Sequence, residues 1–271
     1  MRLASTVMLA RPCDRGTCYE IFMLRRSAQS AFAPDAFVFP GGTLDEPDTS
    51  AAMFGRAVGI EPLRLADMFR AKSSPLLENP VETVPEKERA GLLVAALREL
   101  YEEAGVLLAA DRDGMCKPAS FFLENAEPIQ QGRRAVAGGA RQFWQILQEL
   151  DAYADATALT LFSQWITPPN EARRFNAHFF LACAPADQPA LADALETHDG
   201  VWIQPKVALE RKAAGTFTMV YPTLKHMERL ARFGTIDELL QFARSKNIVS
   251  IMPHRSHAEG FTLPEELEFA W

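Results

Sequence analysis

Apolar and β-branched runs dominate the first 45 residues. Thr6 to Ala10 and Tyr19 to Leu24 read as strands, parted by a turn-forming segment. Phe37 to Phe39 reads as a third short strand, stopped by Pro40, Gly41 and Gly42. From Pro85 to Gly105 the period becomes helical. Leu93, Leu97, Leu100 and Ala104 form one apolar stripe, and Gly105 supplies the stop. Between these blocks, short helical patterns at Ala51 to Val58 and Pro62 to Ala71 precede a Pro-containing stretch from Ser73 to Glu88. This segment, about 46–88, reads as an insertion packed on a core. A second insertion, about 110–158, carries a helix near Arg141 to Leu150.

Strand patterns return at Leu161 to Thr167, Ala177 to Cys183 and Val201 to Gln204. A C-terminal helical part, about 220–271, follows with helices at Leu224 to Phe233 and Thr235 to Ser245. The second of these opens with Thr235 and Glu238 at capping-box spacing. This order predicts a mixed α/β domain with helices on both faces, spanning 1–271 as a single unit.

Composition narrows the function more than the fold. The 271 residues carry 28 Lys and Arg against 35 Asp and Glu, a formal charge of −7. A broad nucleic-acid surface is therefore not expected, although a local basic pocket for a phosphorylated small molecule is compatible with it. Cys13, Cys18, Cys116 and Cys183 lack metal-ligand spacing, so reduced thiols in a cytoplasm are the simplest expectation. The apolar runs are too short to span a bilayer, and Arg11 interrupts the N-terminal one, so no membrane partner is expected. Oligomeric state stays open, a homodimer included.

Chemistry concentrates in Arg98 to Val106. On a helix Glu99, Glu102 and Glu103 share an arc of about a quarter turn or slightly more, away from the apolar stripe. Carboxylates so close repel, and hard oxygen ligands suit Mg²⁺ or Mn²⁺. The competing reading is a solvated acidic face with Arg98 paired to Glu102. Five fixed residues in register, Arg-Glu-x-x-Glu-Glu-x-Gly, match by chance on the order of a few times in 10⁴ chains of this length, which weakens that alternative.

The segment resembles the Nudix box, G-x5-E-x7-R-E-U-x-E-E-x-G-U, with U apolar. Gly42 matches the opening glycine, and Arg98, Glu99, Leu100, Glu102, Glu103, Gly105 and Val106 match the closing half. Two departures stand out. Asp48 occupies the position of the first Glu, and about 42 extra residues separate it from Arg98. The interruption is similar to that of one Nudix branch, the peroxisomal coenzyme A diphosphatases of mammals. The likeness extends over Leu24 to Ser27, Phe37 to Asp45, Trp165 to Pro168 and Arg174 to Phe180.

The resemblance implies a Nudix-like α/β/α sandwich with a mixed β-sheet, two helical insertions and a C-terminal helical extension. It implies hydrolysis of a nucleoside diphosphate linked to another moiety, foremost coenzyme A or acyl-coenzyme A. Glu99, Glu102, Glu103 and Gly42 would form the metal site, with Glu102 and Arg98 as the catalytic pair and Arg98 orienting the carboxylates. Arg25 and Arg26 are candidate contacts for a 3′-phosphate, against ordinary surface charge. Trp165 and Phe175 are candidate adenine platforms, against the core role that aromatics beside strands usually have. The general base is a box Glu or a loop acid such as Glu196 or Asp199. His178 reads as a core or surface histidine. The alternatives are another Nudix substrate (ADP-ribose, NADH or a dinucleoside polyphosphate) and a non-catalytic nucleotide sensor, which Asp48 would favour.

Overall fold

The computed structural model describes residues 1–13, 18–29, 33–70, 84–192, 197–256, 260–265, 267 and 271. A hairpin of β1 (Arg2–Pro12) and β2 (Tyr19–Arg26) leads into two short strands, β3 (Phe37–Val38) and β4 (Gly41–Thr43). A 3-10 turn at Glu46–Thr49 precedes α1 (Ala51–Phe54), β5 (Ala57–Val58) and α2 (Pro62–Met68). The long helix α3 (Glu86–Glu99) passes into a π turn over Leu100–Ala104, followed by β6 (Ala109–Ala110).

Three helices follow, α4 (Ala119–Glu124), α5 (Ala126–Ala137) and α6 (Phe143–Glu149), then β7 (Tyr153–Asp155). The chain returns to the main sheet through β8 (Thr160–Ile166), β9 (Phe175–Cys183) and β10 (Thr197–Ile203). The last part holds α7 (Pro205–Ala213), α8 (Tyr221–Leu230), α9 (Ile236–Ser245) and the short strands β11 (Ser250–Ile251), β12 (His254–Ser256) and β13 (Gly260–Thr262).

The main sheet runs β10-β2-β1-β9-β8-β11, with β3 on β2 and β4 on β1. β1 lies parallel to β9 from Arg2↔Phe175 to Ala10↔Cys183, while β2, β8 and β10 pair antiparallel, so the sheet is mixed. Period-two alternation sorts its side chains between two cores. Val7, Leu9, Phe22, Leu24 and Phe180 face the α3 side; Met8, Ala10, Ile21, Met23, Phe179 and Leu181 face α8 and α9. The result is an α/β/α sandwich.

Helix α3 departs from the single stripe expected of it. Every residue from Ala90 to Leu97 is buried. A helix buried on all sides needs a second covering layer, and the two insertions supply one together. β5 and β6, from either side of α3, both pair with β7 through Ala154. Ala152, Ala154 and Ala156 join the α3 core from that layer. The segment from 71 to 83, most of the expected Pro-containing stretch, lies outside the described residues.

Short apolar content explains what the reading missed. α4, α5 and α7 were not anticipated, because each carries few buried apolar positions. The thiol expectation is also corrected: Cys13 and Cys18 are joined in a disulfide, while Cys116 and Cys183 are free. The reason is local. Cys13 directly follows β1 and Cys18 directly precedes β2, and the Cys13 N–H donates to the Cys18 carbonyl at 3.0 Å, which brings them side by side. Among the described residues, no helix is long and apolar enough to cross a membrane. Thr235 caps α9 by accepting from the Glu238 N–H, as its spacing predicted.

The core under α8 buries a neutral histidine. His226 Nδ1 donates to the Pro222 carbonyl at 2.7 Å, which leaves Nε2 to accept from Ser163 Oγ at 2.7 Å. Burial, with Lys246 and Arg229 nearby, holds His226 down to about 3; burial alone holds His178 to about 4. Both values lie below that of an unfolded histidine, so the unfolded chain takes up protons first as pH falls. Stability from these groups is complete above about 6.5 and declines towards pH 4 for His178 and pH 3 for His226. We expect Tm, followed by circular dichroism, to drop across that window. His226→Gln should flatten the decline; an unchanged pH slope would mean that His226 does not report it.

Candidate active site

Arg98 sits on the last turn of α3, where a charge must find partners because its side chain is only 12% exposed. It finds four. Nε and Nη2 donate to Asp48 Oδ1 and Oδ2 at 2.8 and 2.9 Å, a two-pronged contact. Nη1 donates to Glu99 Oε1 at 2.9 Å and Glu102 Oε1 at 3.1 Å. Nη2 also reaches the Thr43 carbonyl at 3.1 Å, and Asp45 stands 3.8 Å away. Asp48, buried in the 3-10 turn, uses Oδ2 a second time to accept from the Asp45 N–H at 3.0 Å. The aspartate therefore does a structural task, fixing Arg98 to the segment that follows β4.

The glycines explain the other half of the site. Glu103 Oε2 accepts from the Gly41 N–H at 2.8 Å. A Cβ added at Gly42 would lie 2.2 Å from Glu99 Oε1, so a side chain there would displace that carboxylate from its present place. Glu99 and Glu103 thus flank Gly41–Gly42, some 56 or more residues away in the chain. Gly105 closes the turn at φ 72, a left-handed conformation that favours glycine.

Charge is unbalanced here. Burial works against the Arg98 cation, but the hydrogen bond and charge of Asp48 and the charges of Glu99 and Glu102 outweigh it and hold it protonated. Burial pushes Glu99 up to about 7; Arg98 pulls it down and Glu102 pushes it further up. Burial raises Glu102 in the same way, again opposed by Arg98. One guanidinium shared among Asp45, Asp48, Glu99 and Glu102 leaves net negative charge, and all the donors are hard oxygens. That donor set fits Mg²⁺ or Mn²⁺. Among the described residues no three acidic, His or Cys side chains converge as a ready metal cluster. Arg98 draws Glu99 and Glu102 to itself, while Glu103 turns to Gly41.

The remaining candidates divide. Arg25 lies at the end of β2, exposed, with Asp35 at 3.1 Å and Asp199 at 3.9 Å. Arg26 is the last residue of that strand, and its N–H donates to the Ala36 carbonyl at 3.0 Å. Trp165 is corrected to a core residue. It is 3% exposed on the α8 face of the sheet, with Trp271 and His226 rings 5.3 and 5.5 Å away, so no base can stack on it. Phe175 stands opposite Arg2 at the start of β9, and β1 separates that strand from β4. His178 is a core histidine. Asp199 is exposed on β10, and Glu196 lies outside the described residues. The reading missed Arg133, whose guanidinium grips the end of the π turn. Its only signal was one basic residue among several on an amphipathic stretch.

Against this geometry the comparisons are consistent. The family model described as the NUDT19 Nudix domain matches residues 1–230. The chain belongs to the NUDT19 Nudix family. Acyl-coenzyme A diphosphatase NUDT19 of Gallus gallus is 30% identical over 278 residues, covering 90% of this chain and 72% of the relative. The Homo sapiens protein of the same name is 29% identical, covering 83% of this chain and 64% of the relative, just under two thirds of its length. A Nudix hydrolase crystal structure from Alicyclobacillus acidocaldarius superimposes with a TM-score of 0.64 at 21% identity, covering 89% of this chain and 96% of that one, which shows the shared fold. Family membership makes the chain a Nudix pyrophosphohydrolase, and Nudix hydrolases generally use divalent metals.

The Arg98–Asp48 pair yields a stability test. Removing one partner of a buried ion pair leaves the other uncompensated, at about 3–5 kcal/mol. Asp48→Ala should fall near the lower end, because Glu99 and Glu102 still neutralise Arg98. Urea denaturation measures this; a cost below about 1 kcal/mol would show that the pair does not hold the turn to α3.

Proposed function

We propose that this chain hydrolyses the pyrophosphate bond of coenzyme A or acyl-coenzyme A in a divalent-metal-dependent reaction. The products are 3′,5′-ADP and phosphopantetheine or its acyl form. The observation that carries the reading is the meeting of Glu99 and Glu103 on either side of Gly41–Gly42, with Arg98 tethering Glu99 and Glu102. The relatives' name, acyl-coenzyme A diphosphatase, supports the choice of substrate.

Glu99, Glu102 and Glu103 would hold the ion, with the Gly42 backbone beside it. Bound there, Mg²⁺ or Mn²⁺ would offset phosphate charge and stabilise the attacking and leaving oxygens. Arg98 fixes the direction of two of the three carboxylates, so little reorganisation remains when substrate arrives. Glu102 is the box carboxylate assigned to accept the proton of the attacking water, with Asp199 and Glu196 as the loop alternatives. Arg25 and Arg26 are assigned to the 3′-phosphate, and Phe175 remains a candidate at the base. The reading includes a small-molecule nucleotide as partner, no nucleic acid and a cytoplasmic location. The Cys13–Cys18 link is the feature that speaks against the last of these.

A substrate panel decides. Purified protein with Mg²⁺ or Mn²⁺ is offered coenzyme A, dephospho-coenzyme A, ADP-ribose, NADH and a diadenosine polyphosphate, and products are resolved by chromatography. Coenzyme A should lead. Losing a charged, partly solvated contact is worth roughly 1.5–3 kcal/mol, so dephospho-coenzyme A should lag by about one to two decades in kcat/KM. Arg25→Ala or Arg26→Ala should shrink that gap without ending hydrolysis of dephospho-coenzyme A. Faster cleavage of ADP-ribose than of either coenzyme A form moves the assignment to that substrate. Tight nucleotide binding without turnover moves it to a sensing module.

The metal assignment has its own test. Glu103→Gln keeps size and helix propensity while removing one charge. Turnover should fall on the order of a hundredfold or more with the fold intact by circular dichroism. Near-wild-type turnover would remove Glu103 from the metal site.

A further inference from the structure

The second insertion reaches the acidic turn from behind. Arg133, on α5, is 6% exposed and directs its guanidinium at backbone carbonyls. Nε donates to the Glu102 carbonyl at 2.9 Å, and Nη2 donates to the carbonyls of Glu103 at 2.8 Å and Leu191 at 2.7 Å. Carbonyls at a helix end lack intrahelical partners and carry the negative pole of the dipole, so a cation there is stabilising. A Cβ at Gly105 would lie 2.7 Å from Arg133 Nη1, so the glycine both closes the turn and admits the guanidinium.

The same end of the turn is stitched to the β9–β10 connection. The Leu191 N–H donates to the Ala104 carbonyl at 2.8 Å, and the Gln188 side chain bonds both the N–H and the carbonyl of Leu107 at 2.8 and 2.9 Å. That connection runs on to β10 and Asp199. Glu103 is consequently held twice, by its carboxylate at Gly41 and by its carbonyl at Arg133.

We infer that Arg133 is a positioning residue, setting the backbone of Glu102 and Glu103 and the β9–β10 connection so that the carboxylates are aimed before a metal binds. This rests on the metal-dependent reading above. Arg133 donates to the backbone carbonyls of Glu102 and Glu103, so its loss should act on metal affinity and turnover more than on substrate affinity.

Arg133→Gln and Arg133→Lys are compared with Tyr101→Phe in the full-length protein. Tyr101 donates its hydroxyl to the Ile129 carbonyl and lies against the Arg133 main chain, so it docks the same turn of α5 while the bonds from the Arg133 guanidinium to Glu102 and Glu103 are made by another group. Mn²⁺ binding without substrate is followed by electron paramagnetic resonance, alongside kcat, KM and Tm. Arg133→Gln should weaken Mn²⁺ about threefold or more and lower kcat about tenfold, with KM within about twofold. Arg133→Lys should recover part of both, and Tyr101→Phe should lower Tm while leaving Mn²⁺ affinity as it was. If Arg133→Gln does not fold, the lysine variant carries the comparison. Wild-type Mn²⁺ affinity and kcat in a folded Arg133 variant would overturn the inference, as would an equal loss of Mn²⁺ affinity in Tyr101→Phe. A wild-type protein that binds no Mn²⁺ would instead overturn the metal-dependent reading itself.

Discussion

One guanidinium organises this molecule. Arg98 is too buried to be satisfied by water, and a buried charge is tolerated only when its partners surround it. Its partners come from two distant stretches, the turn after β4 and the last turns of α3. Satisfying Arg98 therefore fixes where β4 ends, how the 3-10 turn lies, and which way Glu99 and Glu102 point. The 50-residue separation of Asp48 and Arg98 does not disturb this, because the two ends are clamped to each other. An interruption at that point is tolerated for the same reason that a long surface loop is: closure entropy grows only slowly with length.

The clamp also accounts for the double-layered shape. Placing α3 against the main sheet while burying its opposite side leaves apolar residues that water would otherwise meet. The two insertions cover them, and they do so as one layer, since β5 and β6 share β7 as a partner. An insertion that buries core is not a decoration on a finished domain. Removing either would expose part of the apolar surface of the α3 core, at about 25 cal/mol for each Å² returned to water.

Much of this was legible in the residues. Strands built on apolar runs, such as β1 and β9, and the capped helix α9 declare themselves through local composition and spacing. The box residues declare themselves through spacing, and Gly42 opposite Glu99 is what that spacing required. Three things were not legible. Arg133 acts through backbone carbonyls, which carry no residue signature. Trp165 lies in an apolar strand like any other, and only the sheet face tells a core ring from a base platform. Asp48 read as a defect when compared with a glutamate, whereas its shorter side chain on a tight turn meets Arg98 with both oxygens.

Two arginines bracket the acidic turn, and their division of labour follows from what each can reach. Arg98 binds side chains, so it competes with any metal for Glu99 and Glu102. Arg133 binds main-chain carbonyls of Glu102, Glu103 and Leu191, so it steadies the turn through its backbone. Were the Arg133 task done by a second side-chain ion pair, the turn would be held at the cost of metal ligands. Burial already raises Glu99 towards neutrality, so the carboxylates exchange a proton or a share of Arg98 for a dication instead of losing a settled ion pair. On the metal-dependent reading proposed above, a turn held by its backbone leaves the direction of its carboxylates to be set by Arg98, Gly41 and the ion.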